Sequence, residues 1–389
     1  MAALVFKPGQ ENRLLSGHPW IYKTEIEEIK GRFDEGDVVE LLDARKRFLG
    51  VGYINTRSQI TARLLTTARR SVNREFFRER LEAAAAMRQK VVVDTNAFRL
   101  VYSESDLLPG LIVDRYGDYL AVQFLTLGME RWKELILDLL ETLFRPTGIV
   151  ERSDVTVRAH EGLPMTSGIV RGTCPEQVTI RESGIAYRVD VIGGHKTGFF
   201  LDQRENRAVV RRLADGARVL DGCCHTGGFS LAAAAGGAAE VIGVDNAADA
   251  LDMARQNAAL NGMADRCRFE EGNIFDLLRA YQQEPPFDLV ILDPPAFTRG
   301  KSSLPGATRG YKDINLNAMR LLKPGGFLIT CSCSYHMTDD LFRDVLLQAA
   351  SDVHRTARVL EFRGQAPDHP TLLAAPETHY LKCVVLQIL

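Results

Sequence analysis

RVLDGCCHTGGF, residues 218–229, reads as an apolar strand that ends in Asp221, turns through a loop of small residues and enters an alanine-rich helix. A strand end that feeds a helix start in this way is a common receiver of nucleotide-like cofactors. Two more apolar runs in the same half end in reactive or polar groups, LVILDPPAF (289–297) and FLITCSCSYH (327–336). Around them strand and helix alternate: RVLD, a helix, EVIGVD (240–245), a helix from near Ala247, RCRFEEGN (266–273), a helix near Asp276, LVILD, a helix near Ile314, then FLITCS. This predicts an α/β domain, a Rossmann-like parallel sheet covered by helices, with its ligands at the C-terminal strand ends. Residues 358–389 add two strands without a crossover helix.

Upstream the pattern differs. GDVVELLD, RFLGVGYIN and QITARLLT, within residues 1–67, are short strands between Gly, Asp and Asn breaks and predict a small β-rich module. Asn73 is placed to cap a helix over EFFRERLEAAAAMRQKVV, which sets the first boundary near Ser71. Residues 98–191 carry strands (FRLVYSE, GLIVDRYG, YLAVQFL, QVTIRES, AYRVDVI) around one amphipathic helix, ERWKELILDLLETLF, an α+β layout. The expected domains are 1–70, 71–191 and 192–389.

The 389 residues suffice for two or three cores. No apolar run approaches the roughly 18 residues of a membrane span. MAALVFKPGQENR (1–13) lacks the apolar centre of a signal peptide, so a cytoplasmic protein is expected. Seven irregularly spaced cysteines suit a reducing compartment better than a disulfide framework. The net charge of −2 is uneven: residues 1–90 hold 17 Lys+Arg against 12 Asp+Glu, or +5, which leaves −7 for the rest. A basic front end is compatible with a phosphate backbone and equally with an ordinary surface.

The loop after Asp221 does not follow the G-x-G-x-x-G of dinucleotide sites, because its glycines, Gly227 and Gly228, come late. An acid beside the first strand suits S-adenosylmethionine, whose ammonium it can accept, while small residues let the backbone approach. Asp245 would then hold both ribose hydroxyls and Asn273 the adenine edge. Each residue also has a plain role as a helix cap or turn.

In Asp293-Pro294-Pro295-Ala296-Phe297 the prolines stiffen the backbone, orient Asp293 and leave carbonyls free for a planar substrate. The segment TRGKSSLPGATRGYKD (298–313) reads as a loop whose Arg299, Lys301, Arg309 and Lys312 either clamp phosphates or lie solvated. Cys331 and Cys333 share one face of the fifth strand. Cys331 reads as an inert core thiol and Cys333, nearer the strand end, as a nucleophile. Such a thiolate adds to carbon 6 of cytosine and activates carbon 5, and Asp293 can hydrogen-bond the N3 edge. The spacing of Cys223, Cys224 and His225 is not that of common zinc modules, so no metal is expected.

ENRLLSGHPWIY (11–22), SDLLPGLIVDRYGDYL (105–120), HKTGFFLDQRENR (195–207), DGCCHTGGF, DPPAF, SCSYH and APETHYLK (375–382) together resemble the bacterial large-subunit ribosomal RNA cytosine-C5 methyltransferases with an N-terminal PUA domain. The resemblance covers almost the whole chain. It implies a PUA-like RNA-binding β-barrel, a middle α+β domain and a class I methyltransferase sheet, with Phe200, Gln203 and Arg204 walling the cofactor site and ribosomal RNA as the partner. Asp202 has another reading, as an N-cap paired with Glu205 for a helix running to Leu213. In a second group of RNA cytosine-C5 methyltransferases the fourth-strand motif is Asp-x-Pro-Cys, whereas Ala296 stands here. The base that takes the C5 proton is therefore open between His336 and a water held by Asp293. Methylation of a base nitrogen and a non-catalytic RNA-binding assembly factor are the competing functions. The sequence leaves monomer or homodimer open.

Overall fold

The computed structural model describes residues 2–298 and 300–389, with Lys301 described by its backbone alone. The chain forms two compact units.

The first unit runs to Ile180 and includes Val189–Leu201 and Pro367–Thr378. Strands β1 (Ala3–Phe6), β2 (Trp20–Tyr22), β3 (Ile26–Lys30), β4 (Val38–Leu42), β5 (Phe48–Ile54) and β6 (Ile60–Thr66) form one sheet in the order β2-β6-β5-β4-β1-β3. Alternation buries Leu4, Phe6, Val39, Leu41 and Ala62 in a small core of its own. As expected, Asn73 caps helix Arg74–Val91, its Oδ1 accepting from the Phe76 amide at 3.1 Å. That helix buries Phe76, Phe77, Leu81 and Ala84 on a second sheet, β11-β10-β9-β8-β7. Its strands are β7 (Ala97–Tyr102), β8 (Leu111–Tyr116), β9 (Tyr119–Phe124), β10 (Gly148–Ser153) and β11 (Thr166–Gly172). Helix Lys133–Phe144 packs on the same core through Ile136, Leu137 and Leu140. Tyr53 of the first sheet belongs to this second core, its hydroxyl donating to the Pro109 carbonyl at 2.9 Å. A hairpin, β12 (Val178–Glu182) with β13 (Ile185–Val189), follows.

The second unit comprises Arg181–Arg188, Asp202–Ala366 and His379–Leu389. Its main sheet has seven strands, β14 (Arg218–Gly222), β15 (Glu240–Asp245), β16 (Cys267–Glu271), β17 (Phe287–Leu292), β18 (Leu322–Ser332), β19 (Ala357–Arg363) and β20 (Lys382–Ile388). The order is β16-β15-β14-β17-β18-β20-β19. The first five are parallel, and β20 runs antiparallel to both its neighbours. Helices on both faces explain why Leu289, Val290, Ile291 and Leu292 form an unbroken, fully buried run. The chain leaves β14 toward β15 and β16, then returns on the other side through β17 and β18. The ends of β14 and β17 therefore flank a topological switch point, where open α/β sheets bind ligands.

One expected cap is not made. Helix Arg204–Leu213 starts after Gln203 without a side-chain cap, and Asp202 lies in a preceding 3-10 turn, its Oδ2 accepting from the Tyr380 hydroxyl. A tyrosine delivered from far along the chain takes the carboxylate that the local pattern assigned to the helix.

Candidate active site

β14 carries Asp221 to the switch point. Its carboxylate is buried: Oδ2 accepts from Ser230 Oγ at 2.6 Å, and Oδ1 has no hydrogen-bond partner. Burial pushes its pKa up to about 7, and repulsion from Asp293 and Asp245 adds to the rise. An unpaired buried acceptor among three carboxylates is costly until a cation meets it.

Cys223, His225 and Gly227 all have left-handed backbones, with φ of +66°, +50° and +84°. At Gly227 a Cβ would also lie 2.9 Å from Leu231 Cδ1, so this position calls for glycine. Gly228 opens helix Gly228–Ala235. The turn is fastened to the next strand, because Asp245 Oδ2 accepts from the His225 amide at 2.8 Å and Oδ1 from the Ala247 amide at 3.1 Å. Carboxylate oxygens keep further lone pairs for hydroxyl donors. Asn273 is exposed and caps helix Ile274–Ala280, accepting from the Phe275 amide at 2.9 Å, which leaves its NH2 group for an outside acceptor. Gln203 and Arg204 are buried in the same unit; Gln203 Oε1 accepts from Asn206 at 2.6 Å. Phe200 belongs to the other unit, with Lys196 Nζ 4.4 Å from its ring centroid.

On the other side of the switch point the Asp293 amide donates to the Gly222 carbonyl at 3.2 Å. Pro294 is buried, while Pro295 and Ala296 are exposed. Phe297 packs at 4.5 Å on Tyr311 and at 5.7 Å on Phe275.

β18 stops at Ser332, so Cys333 lies one residue beyond the ladder and not in the strand beside Cys331. Cys331 is fully buried opposite Cys383 in β20, and hydrogen bonding to that thiol together with burial raises its pKa well above the usual range. Burial and the nearby carboxylates likewise push up the Cys223 and Cys224 thiols, which keeps them protonated. Cys333 is half-buried. The turn that holds it is braced, with the Ser334 amide donating to Ser332 Oγ at 3.3 Å and Ser334 Oγ 3.0 Å from the Tyr311 hydroxyl. Tyr311 sits inside the segment read as a loop; nothing in its local pattern marks it.

That segment is largely helical: helix Leu304–Leu321 begins with Pro305 in its first turn. Lys312 is paired with Asp352 at 2.8 Å, so it is not a free phosphate clamp, and Arg309 is exposed on the helix. Arg299 and the Lys301 side chain lie outside the described residues. Among the described residues no group of three His, Cys, Asp or Glu side chains is set to hold a metal, and no helix is long and apolar enough to cross a membrane.

Residues 153–378 match the family described as S-adenosylmethionine-dependent methyltransferase, and residues 4–67 match the PUA-like domain. A Streptococcus mutans protein described as a SAM-dependent methyltransferase superposes with a TM-score of 0.84 over 100% of both chains at 23% identity. A methyltransferase, SMU.776, complexed with SAH gives 0.86 over the same coverage and identity. These two likenesses speak to the fold. The family match defines a methyltransferase that uses S-adenosylmethionine. Curated relatives from Tolumonas auensis (44% identical, 97% of each chain) and Shewanella amazonensis (44%, 98% of each) bear the name Ribosomal RNA large subunit methyltransferase I. The chain belongs to the S-adenosylmethionine-dependent methyltransferase family, in the branch that contains these relatives.

Proposed function

We propose that this protein methylates carbon 5 of a cytosine in large-subunit ribosomal RNA, with Cys333 as the covalent nucleophile. The observation that carries this reading is the half-buried Cys333 just past β18, the strand paired with β17, whose end leads into Asp293. The name borne by the relatives supports ribosomal RNA as substrate. In this reading residues 1–70 bind RNA, 71–191 link and support, and 192–389 hold the methyltransferase site.

The cofactor ammonium is assigned to Asp221, the ribose hydroxyls to Asp245 and the adenine edge to Asn273, with Gly227 and Gly228 admitting the backbone and Gln203 and Arg204 walling the site. Bound there, S-adenosylmethionine supplies an electrophilic methyl group to carbon 5. The target base is flipped from its stack, since its ring faces are covered in a helix. Cys333 forms a bond from its sulfur to carbon 6 while a protonated Asp293 carboxyl gives its proton to N3, and the resulting enamine makes carbon 5 nucleophilic. After methylation a base removes the C5 proton; the returning electron pair expels Cys333 and restores the aromatic ring.

The test incubates the protein with labelled S-adenosylmethionine and unmodified large-subunit ribosomal RNA, then identifies the labelled nucleoside by mass spectrometry. 5-Methylcytidine is expected. An N-methylated cytidine or a labelled purine would overturn the carbon-methylation reading, and no labelled nucleoside despite cofactor binding would overturn naked RNA as substrate.

A further inference from the structure

β20 runs antiparallel to β18 in a register that sets Lys382 opposite Ser332 and Cys383 opposite Cys331. A lysine in a central strand is out of place unless its charge is used, because a buried ammonium loses its hydration. Lys382 is only 3% exposed. Its Nζ donates to the Ser334 carbonyl and to the Tyr380 carbonyl, both at 2.8 Å. Ser334 follows Cys333, so the ammonium is fixed to the carbonyl flanking the thiol.

Lys382 interacts electrostatically with Asp339 and with Cys333. Burial is the largest influence and holds the lysine pKa below its ordinary value, while those two groups act in the opposite direction. An electrostatic coupling acts equally on both partners, so an ammonium supported by Cys333 must favour the thiolate in return. Further titratable groups nearby include Tyr311, bonded to Ser334, His379, whose Nε2 lies 3.4 Å from Asp339, and the paired thiols Cys331 and Cys383. The two carbonyls on the ammonium are neutral, so its charge is met by attraction to Asp339 and to Cys333.

We propose that Lys382 is a positioning residue whose buried ammonium, anchored on the Ser334 carbonyl, stabilises the Cys333 thiolate. The inference rests on the reading of Cys333 as nucleophile. It adds a residue from the last strand to a site otherwise formed by strand ends and the loops after them, and it explains why a lysine sits beside two core cysteines.

The test follows iodoacetamide alkylation of full-length protein against pH, quantifying the Cys333 peptide by mass spectrometry. In the parent the midpoint should fall below the roughly 8.5 of a free thiol. Lys382→Met should raise it by about one unit and slow labelling at pH 7 about tenfold, while Lys382→Arg keeps the charge and the parent behaviour. Turnover of Lys382→Met should fall in kcat with S-adenosylmethionine affinity unchanged. A parent midpoint at or above 8.5, or an unshifted midpoint in Lys382→Met that still binds cofactor, would overturn the proposal. If Lys382→Met does not fold, a parent midpoint at or above 8.5 still overturns the proposal, and Lys382→Gln then supplies the neutral variant. Methylation retained by Cys333→Ala would sink the nucleophile reading instead, and is told apart because the titration shift then persists.

Discussion

The two sides of the switch point are built differently. At the ends of β14 and β15 the partners are close in sequence: Ser230 and Asp221 are 9 residues apart, His225 and Asp245 20. At the ends of β17 and β18 they come from farther off, with Tyr311 23 residues from Ser334 and Lys382 48. The first side gathers carboxylates around an unpaired oxygen and so awaits a cation. The second carries its own buried cation next to a thiol. The proposed reaction would use the first arrangement for the positively charged cofactor and the second for the thiolate, on separate strand ends.

The largest effect should come from the thiol side. Cys333→Ala is expected to lower methylation by a thousandfold or more, on the order of other nucleophile losses, with S-adenosylmethionine binding by calorimetry unaltered. If it lost cofactor binding as well, the two sides would not be separable.

Asp221→Asn tests the other side. Losing a charge-assisted hydrogen bond of about 1.5–3 kcal/mol should weaken cofactor binding roughly 10- to 100-fold. The pH dependence follows from its raised value. Protonation of Asp221 removes the acceptor, so affinity in the parent should decline as pH falls through about 7. In Asp221→Asn titrations that decline should be absent. In the cofactor-free protein, ionising this carboxyl opposes folding: the raised pKa means stability is lost as pH rises from the ordinary carboxylate value near 4 toward 7. Thermal melts with and without cofactor should diverge over that window.

Gly227→Ala should destabilise by about 1–2 kcal/mol from the left-handed backbone alone, with the Leu231 contact adding to it. Lower cofactor affinity with unchanged Cys333 alkylation would keep the effect on the acid side. The smallest change is expected for Tyr311→Phe, which removes one buried hydroxyl contact of about 1 kcal/mol, reduces kcat several-fold and leaves cofactor binding alone.

The same division governs what was legible in advance. Asp221, Gly227 and Asp245 are read from one loop and the next strand end, because strand, turn and helix signals coincide within a short window. The alternation of strands and helices declared the sheet. Of helix Leu304–Leu321 only the part near Ile314 is legible, because Gly, Ser and Pro obscure its start, although Pro is tolerated in a first turn and the helix is fixed by burying Tyr311, Ile314 and Ala318. β1, β2, β3, β10 and β11 escaped because they are short or carry polar and glycine residues whose fit depends on their neighbours. The braces around Cys333 escaped for a stronger reason: Tyr311 and Lys382 look like ordinary helix and strand residues until the sheet order places them beside Ser334. Asp202 misled in the opposite direction, offering a local cap that a distant tyrosine supersedes.

The central claim, that Cys333 bonds to cytosine, is tested most directly with ribosomal RNA containing 5-fluorocytidine, in which the fluorine blocks loss of the C5 substituent. The account predicts a denaturation-resistant RNA adduct in the presence of S-adenosylmethionine, mapped by mass spectrometry to the Cys333 peptide and absent in Cys333→Ala. An adduct that persists in that variant, or 5-methylcytidine formed on normal RNA with no adduct on the fluorinated one, would contradict it.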